Sequence, residues 1–268
     1  MRSYTVSEDT TLKTFTDNTD AQASFCLRTL LKGREVRVNG VKVGEDVPLH
    51  AGDTVCYDMT AAQENKPAFQ EIYEDDNILV IDKESGVGSE AVFAGLLRRG
   101  TYYFIHRLDR NTEGLMLFAK NAAAEEELLT CFRERRIEKI YYALAVGKME
   151  RRHAVEEAYL VKDEKSALVR VSSKPIGEKI ITEYEVMGER GGCSLLKITL
   201  HTGKTHQIRA HLAYLGHPLA GDEKYGDTAF NRSHHITRQR LLAKELILNC
   251  GGPLSYLNGK HFLSEKSL

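Results

Sequence analysis

Apolar positions along the chain change period several times, and each change marks a predicted element. Residues 27–32 (LRTLLK) have helical spacing, while Val36, Val38, Val41 and Val43 alternate at period two around Asn39-Gly40. An Asn-Gly pair tolerates the positive φ values of a type I′ turn, so a tight hairpin is expected there. A turn at 51–53 leads into a third short strand at 54–57, and the polar run 60–66, followed by Pro67, reads as a linker. Strands are then predicted at 78–81, 102–106 and 115–119, the last two joined by a polar loop carrying Arg107, Asp109 and Arg110. Asn121 is placed to cap a helix, because its side-chain oxygen can accept an orphan N–H of the first turn. Glu125, Glu126 and Glu127 near the start of that helix and Arg133, Arg135 and Arg136 near its end suit the helix dipole. Further strands are expected at 140–146, 166–172, 182–186 and 195–200. Ile208, Leu212 and Leu215 space a helix over 205–215, ending at Gly216 and Pro218. Many strands, few helices and little strand-helix alternation predict an α+β fold rather than a doubly wound one.

Composition narrows the class. With 268 residues and 42% apolar residues, the chain buries a sizeable core, which excludes disorder and small disulfide scaffolds. The five cysteines are an odd number without a C-x-x-C pair, so they read as thiols in a reducing compartment rather than as a zinc ribbon. No apolar leader opens the chain, and the longest apolar run, 140–146, is far short of a membrane span. A cytoplasmic protein without membrane contact is expected.

Three segments carry candidate chemistry. In FIHRLDRNTEG, Asp109 lies between Arg107 and Arg110 at a strand end. Neighbouring guanidiniums favour its carboxylate form, available as nucleophile or base, although a solvated turn has the same local composition. In LHTGKTHQIRAHL, His201, His206 and His211 recur every five residues. That is not a helical contact spacing, and no His-Glu-x-x-His or cysteine cluster accompanies them, so hydrogen bonding or RNA contact is expected in place of a metal. In EKIYYALAVG, Tyr141 and Tyr142 point to opposite faces of a strand, so at most one of them faces a given cleft.

The blocks HRLDRNTEGLMLFAK, KIYYALAVG and LLKITLHTGKTHQIRAHLAYLGHPLAGDEKYG resemble, in order, the signatures of the RluA-type pseudouridine synthases. LLKGREVRVNGVKVGEDVPLHAGDTV is similar to a small RNA-binding domain first described in a ribosomal small-subunit protein. The resemblance implies a mixed, largely antiparallel central sheet flanked by helices, with a small α/β RNA-binding domain at 1–60, a linker at 61–70 and a catalytic domain at 71–268. It implies an RNA uridine isomerase with RNA as partner and no metal or cofactor, and a monomer is expected. Large-subunit (23S) rRNA is the favoured substrate. The alternatives are a tRNA-directed enzyme and a non-catalytic RNA-binding or ribosome-assembly protein.

The resemblance also supplies roles. Asp109 matches the catalytic aspartate, Tyr141 the tyrosine that packs on the target base, and Arg209 the arginine that pairs with the catalytic carboxylate. Arg107 matches the residue that fills the space left by the flipped nucleotide, and Leu241 an apolar residue of the pocket. His106, Arg110, Lys204 and His206 lie in the same blocks and are expected on the RNA, with Arg34, Arg37 and Lys42 on the N-terminal domain. Asp109 has three routes open to it: attack on the anomeric carbon, addition to the uracil ring, or abstraction of a ribose proton. The block departs from the family at Glu113, where serine is common, and after Leu241, where Leu242 replaces an expected histidine.

The net charge of −1 averages unlike pieces. Residues 1–76 hold 8 Lys+Arg against 14 Asp+Glu, and the remaining 192 hold 29 against 24. Basic residues gather at 28–42 and, without any acid, at 232–244, where phosphate contacts are expected.

Overall fold

Strand β1 (Arg2–Thr5), the short β2 (Thr10–Thr11) and helices α1 (Leu12–Thr19) and α2 (Ala21–Gly33) lead into the hairpin of β3 (Val36–Val38) and β4 (Val41–Val43). This is a computed structural model that describes residues 1–162 and 168–268. Asn39 and Gly40 have φ of +52° and +81°, the left-handed pair that a type I′ turn needs. After β5 (Pro48–Leu49), strand β6 (Thr54–Tyr57) completes an antiparallel sheet in the order β1-β6-β3-β4, with β2 and β5 paired separately. Leu12, Leu27, Leu30, Val36, Leu49, Val55 and Tyr57 form the buried core. The Tyr57 hydroxyl meets Thr16 Oγ1 at 2.7 Å, so the aromatic buries no orphan polar atom.

The run at 60–66, expected as a linker, forms helix α3 (Ala61–Asn65) instead. Thr60 and Gln63 make a capping box: the Gln63 N–H donates to Thr60 Oγ1 at 3.3 Å, and the Thr60 N–H donates to Gln63 Oε1 at 2.7 Å. Gln22 Nε2 donates to the carbonyls of Gln63 and Lys66, both at 2.6 Å. Partners for both helix ends stabilise a turn that composition alone reads as loop. Strands β7 (Phe69–Glu74) and β8 (Ile78–Lys83), helix α4 (Ser89–Leu97) and β9 (Tyr103–Phe104) follow, and α1 and α2 pack on α4. The first compact unit comprises Met1–Arg110 with Met116–Glu125, and the second comprises Asn111–Leu115 with Glu126–Leu268.

Strand β10 (Glu113–Ala119) and helix α5 (Ala122–Arg133) each have residues in both units. Asn121 caps α5 as the sequence predicts, its Oδ1 accepting the Ala124 N–H at 2.9 Å. The second unit continues through β11 (Ile137–Val146), β12 (His153–Lys162), β13 (Val169–Ser172), β14 (Glu178–Arg190), β15 (Cys193–Leu200), α6 (Gln207–Tyr214), α7 (Thr228–Ser233), β16 (Leu241–Leu248) and β17 (Lys260–Leu263). Its strand order is β13-β12-β14-β15-β11-β16-β10, with β17 paired to β16. Every pair is antiparallel except β10 with β16. Of the strand predicted at 166–172, residues 166 and 167 lie outside the described residues. Helix α6 packs on β13 and β14 through Ala210, which joins the core of Ala158, Leu160, Val169 and Ile180.

Strands β12 and β16 are absent from the predicted set. The buried positions of β12 include Ala154 and Ala158, which give little apolar signal beside Glu156 and Glu157. In β16, Lys244 and Glu245 interrupt an apolar run. The pairing with β11 shifts there, from Ile140 opposite Glu245 to Tyr141 opposite Ala243, leaving Lys244 as the extra residue of a bulge.

Where β10 meets β16, Gly114 has a φ of +113°, and a Cβ on it would lie 2.3 Å from the Ala243 carbonyl oxygen. Gly114→Ala is expected to destabilise the fold by about 2–4 kcal/mol, read from urea unfolding. An unchanged midpoint would contradict this close approach.

Candidate active site

In the first unit, the loop that carries Asp109 is fixed on both sides of it. Ser89 Oγ donates to the Leu108 carbonyl at 2.7 Å and accepts the Leu108 N–H at 3.0 Å, so one hydroxyl satisfies both backbone groups of the preceding residue. On the other side, the Arg110 carbonyl accepts from the Gly86 N–H at 2.8 Å and from Lys83 Nζ at 3.1 Å. The Arg110 guanidinium pairs with Asp17 and donates to the Ser24 carbonyl at 2.8 Å. Arg107 reaches Glu90 at 2.7 Å and is 61% exposed, an arrangement that leaves its guanidinium solvated. His106 Nε2 accepts the Leu117 N–H at 3.0 Å.

In the second unit, Arg209 on α6 is a buried cation held by a buried carboxylate. Its Nε donates to Asp222 Oδ2 at 2.7 Å and a terminal nitrogen donates to Oδ1 at 2.9 Å, with side-chain exposures of 6% and 0%. This bidentate geometry suits the planar guanidinium. Burial alone would raise the Asp222 carboxyl, but Arg209 and the N–H groups of Lys224 and Tyr225 hold it below the usual carboxylate range. The Tyr225 ring lies 5.3 Å from the guanidinium carbon, and its hydroxyl meets His206 Nδ1 at 2.9 Å. Tyr141 is buried on β11 between Ile198 of β15 and Ala243 of β16, and the buried Leu241 begins β16 opposite Ala143. Gln239, just before β16, donates to Thr112 Oγ1 at 3.0 Å.

A model described as RNA pseudouridylate synthase matches residues 77–214. The chain is 36% identical to ribosomal large subunit pseudouridine synthase C of Vibrio cholerae serotype O1, over 78% of this chain and 73% of that protein. It is 35% identical to the protein of the same name from Escherichia coli K12, over the same shares. The chain belongs to the RNA pseudouridylate synthase family. It is thus an isomerase that converts uridine to pseudouridine in RNA. Human RNA pseudouridylate synthase domain containing 1 has the same fold, with a TM-score of 0.61 at 22% identity over 74% of this chain and 83% of that one.

Several basic residues of this synthase that sequence reading expects on RNA are engaged within the fold. Arg110 is tied to Asp17 and Ser24, and His106 to β10. His206, at a left-handed φ of +55°, meets Tyr225. Lys204 pairs with Glu178, and Arg37 with Asp58 at 3.0 Å. Their local sequence shows charge, whereas their partners lie 19 to 93 residues away or are backbone groups. Arg34, in the left-handed cap after α2, and Lys42 on the hairpin are exposed. Asp222, Tyr225, Lys83 and Ser89 were not singled out by spacing, because each acts through a distant partner.

The three histidines spaced by five go to separate partners: His201 to Glu183, His206 to Tyr225 and His211 to Thr182. Among the described residues, Glu127, Cys131 and Cys250 bring metal-capable atoms within 4.8 Å of one another. Glu127 Oε1 already accepts from the Gly251 N–H at 2.6 Å, Arg136 at 3.1 Å and the Cys131 thiol at 3.2 Å. Burial, then Cys250 and Glu127, push the Cys131 thiol up, which keeps it a protonated donor.

Removing one partner of the buried ion pair leaves a buried charge alone. Asp222→Ala should therefore cost about 3–5 kcal/mol of stability, measured by chemical denaturation; a loss typical of a surface pair would contradict the clamp. His211 is 1% exposed, and burial pushes its imidazole down to about 4. The unfolded chain takes up that proton near pH 6.5, so stability should fall as pH drops from about 6.5 to about 4, by roughly 3 kcal/mol in total. His211→Asn should flatten that limb of the stability–pH curve, and an unaltered slope would contradict the assignment.

Proposed function

We propose that this synthase modifies ribosomal large-subunit RNA and that Asp109 is its catalytic carboxylate. The observation that carries the reading is the fixed backbone on both sides of Asp109, within the segment that matches the family. The reaction breaks the bond from ribose C1′ to N1 of uracil and forms one from C1′ to C5. The C5 proton leaves and N1 gains one. The nucleotide must first leave the stack, because no side chain reaches those atoms inside a helix. Arg107 fills the space it leaves, and Tyr141 packs against the extruded base, with Leu241 lining the same pocket.

Asp109 then works as a carboxylate by attack on C1′, addition to the ring or abstraction of a ribose proton. The family resemblance gives Arg209 as the residue that pairs with that carboxylate. A guanidinium fixed by Asp222 and Tyr225 offers a permanent charge that needs little reorganisation as the reaction proceeds. The likeness to relatives named for the ribosomal large subunit supports the rRNA target. The exposed cations Arg34, at the end of α2, and Lys42, on the hairpin, support an RNA-binding role for residues 1–60. The enzyme acts as a monomer in the cytoplasm. Among the described residues, no helix is long and apolar enough to cross a membrane.

Purified enzyme should restore pseudouridine in large-subunit rRNA taken from a deletion strain. Asp109→Asn should restore none while binding the same RNA with similar affinity. Conversion that survives Asp109→Asn would overturn the catalytic assignment, and restoration confined to tRNA would overturn the target.

A further inference from the structure

A cavity of about 430 Å³ opens in the second unit, lined by residues that include Arg135, Lys139, Glu183, Thr199 and His201. Lys139 is the third residue of β11, and Arg135 lies in the turn between α5 and that strand. Arg135 adopts a left-handed φ of +60°, an uncommon conformation for a side chain of this size. The Lys139 ammonium stands 5.6 Å from the centre of the Phe132 ring, and a Cβ on Gly203 would come within 3.2 Å of it. Glycine at 203 thus leaves room for the ammonium beside the loop that leads into α6.

The lining holds two cations, Arg135 and Lys139, and two carboxylates, Glu138 and Glu183, but neither cation is paired with either carboxylate. Glu183 is shared by two imidazoles, His153 at 2.9 Å and His201 at 2.7 Å. Glu138, also in the lining, is exposed. Among the described residues, neither the Lys139 ammonium nor the Arg135 guanidinium has an ion pair or a hydrogen-bond acceptor. Burial, and then the Arg135 charge, push the Lys139 amine down. The half-buried Lys139 ammonium has three N–H donors that are costly to desolvate without an acceptor, and the exposed Arg135 guanidinium adds a second positive charge beside it.

We infer that the cavity between Arg135 and Lys139 receives a backbone phosphate of the substrate RNA. The family reaction supplies a polyanion as substrate, and an arginine with a lysine is the donor set that phosphate favours. Lys139 precedes Tyr141 by two residues, about 7 Å along a strand, which matches the reach from a base pocket to a nearby phosphate. That placement rests on the proposed contact of Tyr141 with the target base. The phosphate site itself rests only on RNA as substrate.

The test is the salt dependence of RNA binding, measured with large-subunit rRNA, together with single-turnover conversion at saturating RNA. Lys139→Ala should raise Kd about five- to tenfold at low salt and reduce the slope of log K against log salt by about 0.7–0.9, the share of one phosphate. Arg135→Ala, on an exposed residue, should act in the same direction, and Lys139→Arg should restore the slope. The conversion rate at saturation should stay unchanged in all three. An unaltered slope in Arg135→Ala and Lys139→Ala would overturn the inference. So would a loss of rate at saturation without weaker binding, or competition by inorganic phosphate at constant ionic strength with an unchanged slope. If Lys139→Ala fails to fold, the Arg135→Ala slope decides. Wild-type enzyme that neither binds nor converts this rRNA would instead count against the proposed target, so the two failures are distinguishable.

Discussion

Lys83 is fully buried, and its ammonium donates to three backbone carbonyls, those of Glu84 at 3.1 Å, Val87 at 2.9 Å and Arg110 at 3.1 Å. An ammonium has three N–H donors, and a buried one is tolerable only when they find acceptors. Here the acceptors lie in two separate loops, so the charge ties the turn after β8 to the residue that follows Asp109. Ser89 does the same from the N-terminal end of α4, through Leu108. The backbone around Asp109 is therefore set by the first unit before any substrate arrives. A reaction that positions a carboxylate against a flipped nucleotide gains most from such fixing, because little ordering remains for the chemical step.

The second unit solves a related problem with opposite charge. Arg209 sits on the buried face of a helix whose neighbours Ile208, Ala210 and Leu212 are core, a place that a lone cation would not tolerate. The turn that begins at Asp222 makes it tolerable. The carboxylate grips the guanidinium edge, its Oδ1 also accepts the N–H groups of Lys224 and Tyr225 at 2.8 and 3.1 Å, and the Tyr225 ring stands against the cation. A Cβ on Gly226 would lie 2.2 Å from the Asp222 carbonyl oxygen, so that turn closes only with glycine there. The chain thus contains one fixed carboxylate loop and one fixed arginine, each held by its own unit.

Much of this was legible in the sequence, for reasons that local chemistry explains. The Asn39-Gly40 hairpin, the Asn121 cap and helix α6 depend on contacts within a few residues. Helix α3 was misread because its stability comes from a capping box and from Gln22, which composition does not display. Strand β12 was missed because its buried positions include alanines, and β16 because a bulge interrupts its alternation. The reaction class followed from the serial motifs. The clamp did not, since Asp222 lies 13 residues beyond Arg209 and nothing in GDEKYG alone says which cation it holds. The charge run at 232–244 was likewise only partly informative: Lys244 donates to the carbonyls of Ser264 and Lys266 and belongs to the scaffold.

A near-neutral chain can bind RNA when its cations are placed rather than numerous. The structure separates cations with partners inside the fold, such as Arg110 and Arg209, from exposed ones such as Arg34 and Lys42. The central claim is that a pre-set loop makes Asp109 competent. It is tested most directly by Ser89→Ala, which removes both bonds to Leu108 while leaving the carboxylate and the arginine clamp in place. With RNA carrying tritium at carbon 5 of uridine, each conversion releases tritium to water. At saturating RNA, the single-turnover release rate should fall well below wild type with Kd for RNA unchanged. An unchanged release rate in a folded Ser89→Ala enzyme would contradict the account.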